Sequence, residues 1–271
     1  MEPIVAIAQQ KGGCGKTTLA THLAWAFTAA GHAVLLVDLD PQGHARRWLA
    51  LSNAPSPSSG KVELADVLAH TPLTGQGPGL GQAVMPVQPG LDLAGGEISL
   101  AGMELHLARL PGRVERLAEH LADDGHRWEV VIIDTPPSLG LLTINALVAA
   151  GACLVPLPPD PFALHGARRL AATAVEIEEQ TGHHTELRFL PVMSRRGGRL
   201  TRELLAEAEK RWGSMLLPLR LHRSVLFDRA AARGKVVAQT APRSQPWQEV
   251  MAVADLLWRQ WTGSGGREPP A

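Results

Sequence analysis

The chain is short of cysteine, carries no net charge and has no long apolar run. Two cysteines, Cys14 and Cys153, in 271 residues are too few for a disulfide framework. One sits in a glycine-rich loop and the other in an apolar stretch, which predicts reduced thiols and a cytosolic setting. Lys plus Arg and Asp plus Glu both number 26, so the formal net charge is zero. The whole molecule is therefore no polycation, and any attraction for nucleic acid has to come from local asymmetry. No apolar run approaches the ~18 residues of a membrane span, and Met1-Glu2-Pro3 lacks the basic start of a signal peptide. The expectation is a soluble cytoplasmic protein. No internal repeat is present. The first motif begins about ten residues in, so no separate N-terminal DNA-reading module is expected.

What is present is an ordinary globular composition, 45% hydrophobic and 19% charged, long enough to bury a full core. Ile4 to Ala8 is an apolar, β-branched run that predicts a buried parallel strand. Leu19, Ala20, Leu23, Ala24 and Phe27 recur at helical spacing. Between them lies Gln10-Lys11-Gly12-Gly13-Cys14-Gly15-Lys16-Thr17-Thr18, a strand-to-helix turn. Backbone N–H groups converge there and suit a phosphate. Glycine lets the backbone approach an anion closely, Lys16 adds a point charge, and Thr17 offers a hydroxyl to a magnesium ion. The usual spacing G-x-x-x-x-G-K-[ST] fails at its first glycine, because position 10 is Gln10; a second lysine, Lys11, follows it instead.

Strand and helix patterns then alternate. Ala33 to Asp38 predicts a strand, with Asp38 and Asp40 at its carboxyl end, where open parallel sheets place ligands. Residues 51–90 are rich in Pro, Ser and Gly and predict a surface excursion holding one short helix at Val62 to His70. Leu91 to Gly96 predicts a strand end and turn. Met103 to Ala122 predicts a helix that Pro111-Gly112 breaks. Val130 to Asp134, four branched aliphatics and a carboxylate, is the clearest strand. Helices follow at Leu141 to Ala150 and Ala163 to Gln180, strands at Cys153 to Leu157 and Leu187 to Met193. A terminal helix from Gln245 to Trp261 carries one broad apolar stripe. The expected fold is α/β: a single doubly wound, mostly parallel sheet flanked by helices, over residues 1–262 with a flexible tail at 263–271.

The block Lys11-Gly12-Gly13-x-Gly15-Lys16-Thr17-Thr18 resembles the deviant Walker A loop of the ParA/MinD family of ATPases. Asp38-Leu39-Asp40-Pro41-Gln42-Gly43 resembles that family's switch I. Asp134-Thr135-Pro136-Pro137 and the residues to Leu147 resemble switch II of its partition ATPases. Gly234-Lys235-x-Val237 resembles their Gly-Lys-Pro-Val, and Leu221-His222-Arg223-Ser224-Val225 stands where they carry Ile-Pro-Arg-Asn-Val. The resemblance implies ATP and Mg²⁺ as cofactors and slow, partner-stimulated hydrolysis. It implies that Gly12, Gly13, Cys14, Gly15, Lys16, Thr17 and Thr18 hold the phosphates, and that Thr17, Asp38 and Asp134 serve the metal. Asp40 would position the attacking water, Lys16 would pair with the β- and γ-phosphates, and Lys11 would reach the partner's nucleotide in an ATP-bound homodimer. His222 replaces a proline, and the usual asparagine after Pro191 is missing; Met193 and Arg223 are the candidates for the adenine pocket.

Charge is uneven along the chain. Arg188 to Arg243 holds thirteen Lys/Arg against four acidic residues. Arg195, Arg196, Arg199 and Arg202 cluster at a loop and helix start, and Arg229, Arg233 and Lys235 follow. Such a surplus favours nonspecific double-stranded DNA over any read sequence. The resulting expectation is a ParA-like ATPase, cytoplasmic and nucleoid-associated, working with a ParB-like or other adaptor to segregate or position DNA or a protein cargo. A MinD-like, membrane-associated ATPase positioning a division or polar complex is the alternative. It is the weaker one, because Arg259 is the sole basic residue between Trp247 and Trp261, whereas an interfacial helix has a Lys/Arg-rich polar face.

Overall fold

The computed structural model describes residues 3–50, 62–194 and 199–262. Arg195, Arg196, the Pro/Ser-rich loop from residue 51 and the tail 263–271 lie outside the described residues, as does the side chain of Arg199.

Among the described residues seven strands form one sheet. In chain order they are β1 (Ile4–Ile7), β2 (Val34–Asp38), β3 (Val84–Gln88), β4 (Leu91–Gly95), β5 (Val130–Asp134), β6 (Ala152–Leu157) and β7 (Glu186–Pro191). Their spatial order is β3-β4-β2-β5-β1-β6-β7. All neighbours pair parallel except β3 with β4, which is antiparallel at one edge. The helices are α1 (Lys16–Ala29), α2 (His44–Ala50), α3 (Leu64–Leu68), α4 (Met103–Leu107), α5 (Arg116–Asp124), α6 (Leu141–Ala149), α7 (Pro161–Thr181), α8 (Arg199–Trp212), α9 (Val225–Ala231), α10 (Val237–Thr240) and α11 (Gln245–Thr262).

Both faces of the sheet are covered, which is why its central strands are apolar at every position. One face packs Val5, Ile7, Leu36 and Ile132 against Leu19, Leu23 and Phe27 of α1 and against Val250, Val253 and Leu257 of α11. The other packs Ala6, Val37, Val131 and Val155 against α3 and α5 through α8. The chain leaves β1 through α1 on the first face toward β2. It leaves the adjacent β5 through α6 on the second face toward β6. The crevice between the carboxyl ends of β1 and β5 is thus the topological switch point, where an open sheet binds ligands.

Two local departures from the sequence reading have physical causes. Val84–Gln88 is a strand, although it contains Pro86. Proline is tolerated there because β3 is an edge and Pro86 points to solvent. The region from Met103 is two helices, and the first ends at Leu107, ahead of Pro111. A proline constrains the turn before it, so the break comes early. The terminal helix buries its stripe: Trp247, Val250, Val253, Ala254 and Leu257 are inside. Trp258 and Trp261 pack beside Phe27 with ring centroids 6.3 and 6.0 Å away. Among the described residues no helix is long and apolar enough to cross a membrane.

Candidate nucleotide site

The loop after β1 is built to hold an anion. Gly13 (φ 71°) and Gly15 (φ 89°) are left-handed, a conformation that a side chain would strain. Gly15 caps α1 without any side-chain hydrogen bond, so the first N–H groups of α1 face the loop. A Cβ on Gly12 or Gly13 would meet nothing within 4 Å; the loop opens into free space. Gln9 stiffens its base. The Gln9 Nε2 donates to Pro156 O at 3.3 Å and Ala163 O at 3.2 Å, and its Oε1 accepts from Gln10 N at 2.9 Å. Lys16 is 7% exposed.

The register sets the carboxylates beside this loop. Asp134 is paired with Ile7 of β1 on one side and with Asp38 of β2 on the other. Asp134 is fully buried, and neither carboxylate oxygen has a hydrogen-bond partner among the described residues. Burial pushes it up to about 7, against the lowering pull of the Thr17 hydroxyl and the Lys16 ammonium. A buried carboxylate with two orphaned oxygens, next to a threonine hydroxyl and a lysine, is the chemistry of a hard-cation site. No cluster of three His, Cys, Asp or Glu ligands exists among the described residues. That fits Mg²⁺, which keeps waters and takes phosphate oxygens in place of an all-protein cage.

Asp38 is placed differently. Its Oδ1 accepts from Asp40 N at 3.0 Å, and its Oδ2 from Ala45 N at 3.1 Å and Arg46 N at 3.3 Å. Its carboxylate therefore fastens the switch I turn and the start of α2. Burial and the neighbouring Asp134 hold it well above the usual carboxylate range. Asp40, 7% exposed, accepts from Gln42 N at 2.9 Å through Oδ1 and lines the phosphate end of the site.

That end is a cavity of ≈ 620 Å³ whose walls include Gly12, Lys16, Thr17 and Asp40. A second cavity of ≈ 300 Å³ adjoins it, between the loop and residues 192–193 and 221–228. Gly13, Gly15, Thr18, Met193 and Asp228 border both. Met193 and Arg223, the two candidates for a base pocket, both line the second cavity. Met193 has φ 52°, the one positive value outside glycine among the described residues, and its Cε lies 3.4 Å from where a Cβ on Gly15 would sit. Backbone strain of this kind, roughly 1–3 kcal/mol, gathers at ligand sites.

A family model described as an AAA domain matches residues 2–188. The cell division protein PomZ of Myxococcus xanthus is 33% identical over 250 residues, 91% of this chain and 75% of that protein. The chromosome partitioning protein ParA of Caulobacter vibrioides is 34% identical over 86% of this chain and 85% of its own length. The chain belongs to the ParA/MinD family of P-loop ATPases. Among solved structures, cobyrinic acid a,c-diamide synthase from Mycobacterium smegmatis with a bound ATP analogue and magnesium superposes with TM-score 0.80 at 30% identity, covering 100% of this chain and 99% of that one. ParA/MinD ATPases use ATP and Mg²⁺, and the cradle and orphaned carboxylate described above fit both.

The ParA/MinD frame sharpens what the sequence missed. Lys11 forms an ion pair with Asp160 of its own chain at 2.7 Å. Asp160 is the N-cap of α7 and also accepts from Phe162 N and Ala163 N. An aspartate before Pro161 is a legible cap, but nothing local ties it to Lys11. His22 went unnoticed too. Its Nδ1 meets Thr18 O at 2.7 Å, and its Nε2 accepts from Val237 N at 3.1 Å. Burial lowers it to about 4, so the ring is neutral.

Asp134 also sets a pH test. Its folded pKa lies above its unfolded value near 3.8, so the fold loses stability as pH rises from about 4 to about 7. Asp134→Asn is expected to flatten that fall and to raise apo-protein stability at pH 8 by on the order of 2 kcal/mol. It is also expected to remove Mg²⁺-dependent hydrolysis. Thermal melts across pH with a parallel phosphate-release assay check both; a lower melting point at pH 8 contradicts the assignment.

Proposed function

We propose that this chain is a ParA-like ATPase that dimerises on ATP and Mg²⁺, binds DNA without reading sequence, and is released by partner-stimulated hydrolysis. Its work is to segregate or position DNA or a protein cargo, in the cytoplasm at the nucleoid, through one ATPase domain spanning 1–262. Thr17 and Asp134 take the Mg²⁺, with Asp38 supporting them from the turn that it fastens. Gly12 to Thr18 hold the phosphates, Lys16 neutralises them, and Asp40 orients the water. Lys11 leaves Asp160 to serve the partner's nucleotide.

The observation that carries the reading is one connection between the nucleotide site and the basic surface. Trp48 on α2, the helix that Asp38 anchors, donates its Nε1 to Lys235 O at 2.6 Å. The imidazole of His22, on the helix that follows the phosphate loop, accepts from the backbone of Val237 and packs edge-on against Trp48 and Phe227. Arg229, Arg233 and Lys235 are exposed beside these contacts. A change at Asp40 or at the loop therefore has a packed route to those cations. Exposed Arg202 lies elsewhere: α8 packs on the opposite sheet face from α9 and α10. The sequence-continuous basic run thus wraps the β7 edge. The α9–α10 group is the part joined to the nucleotide.

The membrane alternative loses its helix, because the apolar stripe of α11 is already spent on α1 and the sheet. Peeling it off would expose Val250, Val253 and Leu257 at about 1.5–3 kcal/mol each.

Reversing Arg229, Arg233 and Lys235 to glutamate is expected to weaken ATP-dependent DNA binding at least tenfold and to flatten its log–log salt slope by about 3. ATP affinity should stay within twofold. Fluorescence anisotropy with unrelated duplexes measures both; undiminished DNA binding refutes the surface.

A further inference from the structure

We infer that Arg47 on α2 is a catalytic residue. It grips the terminal phosphate of the triphosphate held by its own chain and offsets the charge that gathers there during hydrolysis. The inference rests on the nucleotide reading above and deepens it.

The helix α2 is short but fixed at three points. Asp38 holds its start by accepting from Ala45 N and Arg46 N. The Arg46 side chain pairs with Glu97 at 3.3 Å, and Trp48 Nε1 donates to Lys235 O. His44, Arg47 and Trp48 stand three and four residues apart, so they share one face of the helix. All three line the larger cavity, together with Lys16, Thr17 and Asp40. A cation carried on so constrained an element needs little reorganisation to meet a ligand.

Charge balance singles Arg47 out. Asp40 and Asp228 line the cavity, and Asp38 and Asp134 lie buried beside Asp40. A triphosphate stays anionic with its magnesium bound, so this end of the site needs more positive charge than Lys16 supplies. Lys11 is taken by Asp160 and Arg46 by Glu97. Arg47 is exposed and forms no ion pair among the described residues, in spite of the two aspartates on the same walls. Of the basic side chains there, Lys16, His44 and Arg47, only Arg47 offers a planar charged fork that matches two phosphate oxygens at once.

During hydrolysis the water oxygen bonds the terminal phosphorus. The bond to the β-phosphate oxygen breaks, its electron pair stays on ADP, and the water's protons end on inorganic phosphate and solvent. Arg47 makes and breaks no covalent bond. It faces the equatorial oxygens, over which the transition-state charge is spread.

The test applies Arg47→Ala, an exposed and unpaired position at which the fold loses no contact. Calorimetry with Mg²⁺ compares ADP, a β,γ-imido triphosphate and ADP with aluminium fluoride, and a phosphate-release assay gives kcat. ADP lacks the gripped group, so its affinity should stay within about twofold. The imido triphosphate should bind about tenfold more weakly, ADP–aluminium fluoride should lose the most, and kcat should fall about 100-fold. Arg47→Lys keeps the charge without the fork and should recover part of kcat. A merely structural role would weaken all three ligands alike. An equal loss for all three, or kcat within about threefold of the unaltered chain, overturns the assignment. So does a loss confined to DNA binding in anisotropy, which would put Arg47 on the DNA surface instead. If the intact chain binds none of these nucleotides, the nucleotide reading itself fails; binding that Arg47→Ala leaves unchanged sinks only Arg47.

Discussion

Lys16→Ala is expected to lower ATP affinity at least 100-fold. Lys16 is nearly buried, so its charge is little screened when a triphosphate fills the loop. Losing it would remove the charge-assisted contact proposed for the β- and γ-phosphates, and about 3 kcal/mol corresponds to that factor. The same change strips Asp134 of the nearest cation that offsets its burial. The fold answers by holding a proton on Asp134, so the chain should remain folded at pH 6.5 and melt lower at pH 8. Calorimetry for nucleotide, with circular dichroism at the two pH values, separates the effects. ATP binding within tenfold of the unaltered chain would mean that the loop's backbone amides alone hold the phosphates.

The loop and its carboxylates were legible because they are local. Val130–Asp134 reads as a buried strand from its side chains alone, and the structure returns those same bounds. The glycines at 13 and 15 mark a strand-to-helix turn in the sequence, and the structure gives both the left-handed backbone that glycine adopts without strain. Harder to read was which partner a known group would choose. Asp38 stands in the right motif, yet only the fold shows three backbone N–H groups on its carboxylate. Lys11 and Asp160 are far apart in sequence and meet because β1 and β6 are neighbours. Glu249 belongs to a helix whose apolar stripe drew attention, while its one carboxylate facing His222 left no periodic trace. The basic run poses the opposite problem. It is contiguous in the chain but divided in space, because α8 and α9 lie on opposite faces of the sheet. Periodicity and motif spacing report the backbone path within an element. They carry no information on which side chains a parallel sheet brings together from distant crossovers.

Asp40→Ala should leave ATP binding intact and cut hydrolysis at least 100-fold. Asp40 sits at the phosphate end of the larger cavity, two residues beyond the end of β2, with Oδ1 held by the Gln42 N–H. Its Oδ2 accepts no hydrogen bond among the described residues, which leaves that oxygen open to an attacking water. A group that orients or deprotonates an attacking water contributes about 10²–10⁴ to rate and little to ground-state affinity. The fold should tolerate the change. Asp38 and not Asp40 anchors α2, and the Asp40 backbone N–H keeps its bond to Asp38 Oδ1. With hydrolysis stopped, the ATP-bound form persists, and if ATP joins two copies the variant should elute as a stable dimer on ATP and Mg²⁺. Light scattering during chromatography reads that mass directly, and DNA anisotropy on the same fractions should show binding that no longer decays. A variant that stays monomeric with bound ATP would break the link between nucleotide and assembly. One that hydrolyses at the normal rate would move the water-positioning role to another group.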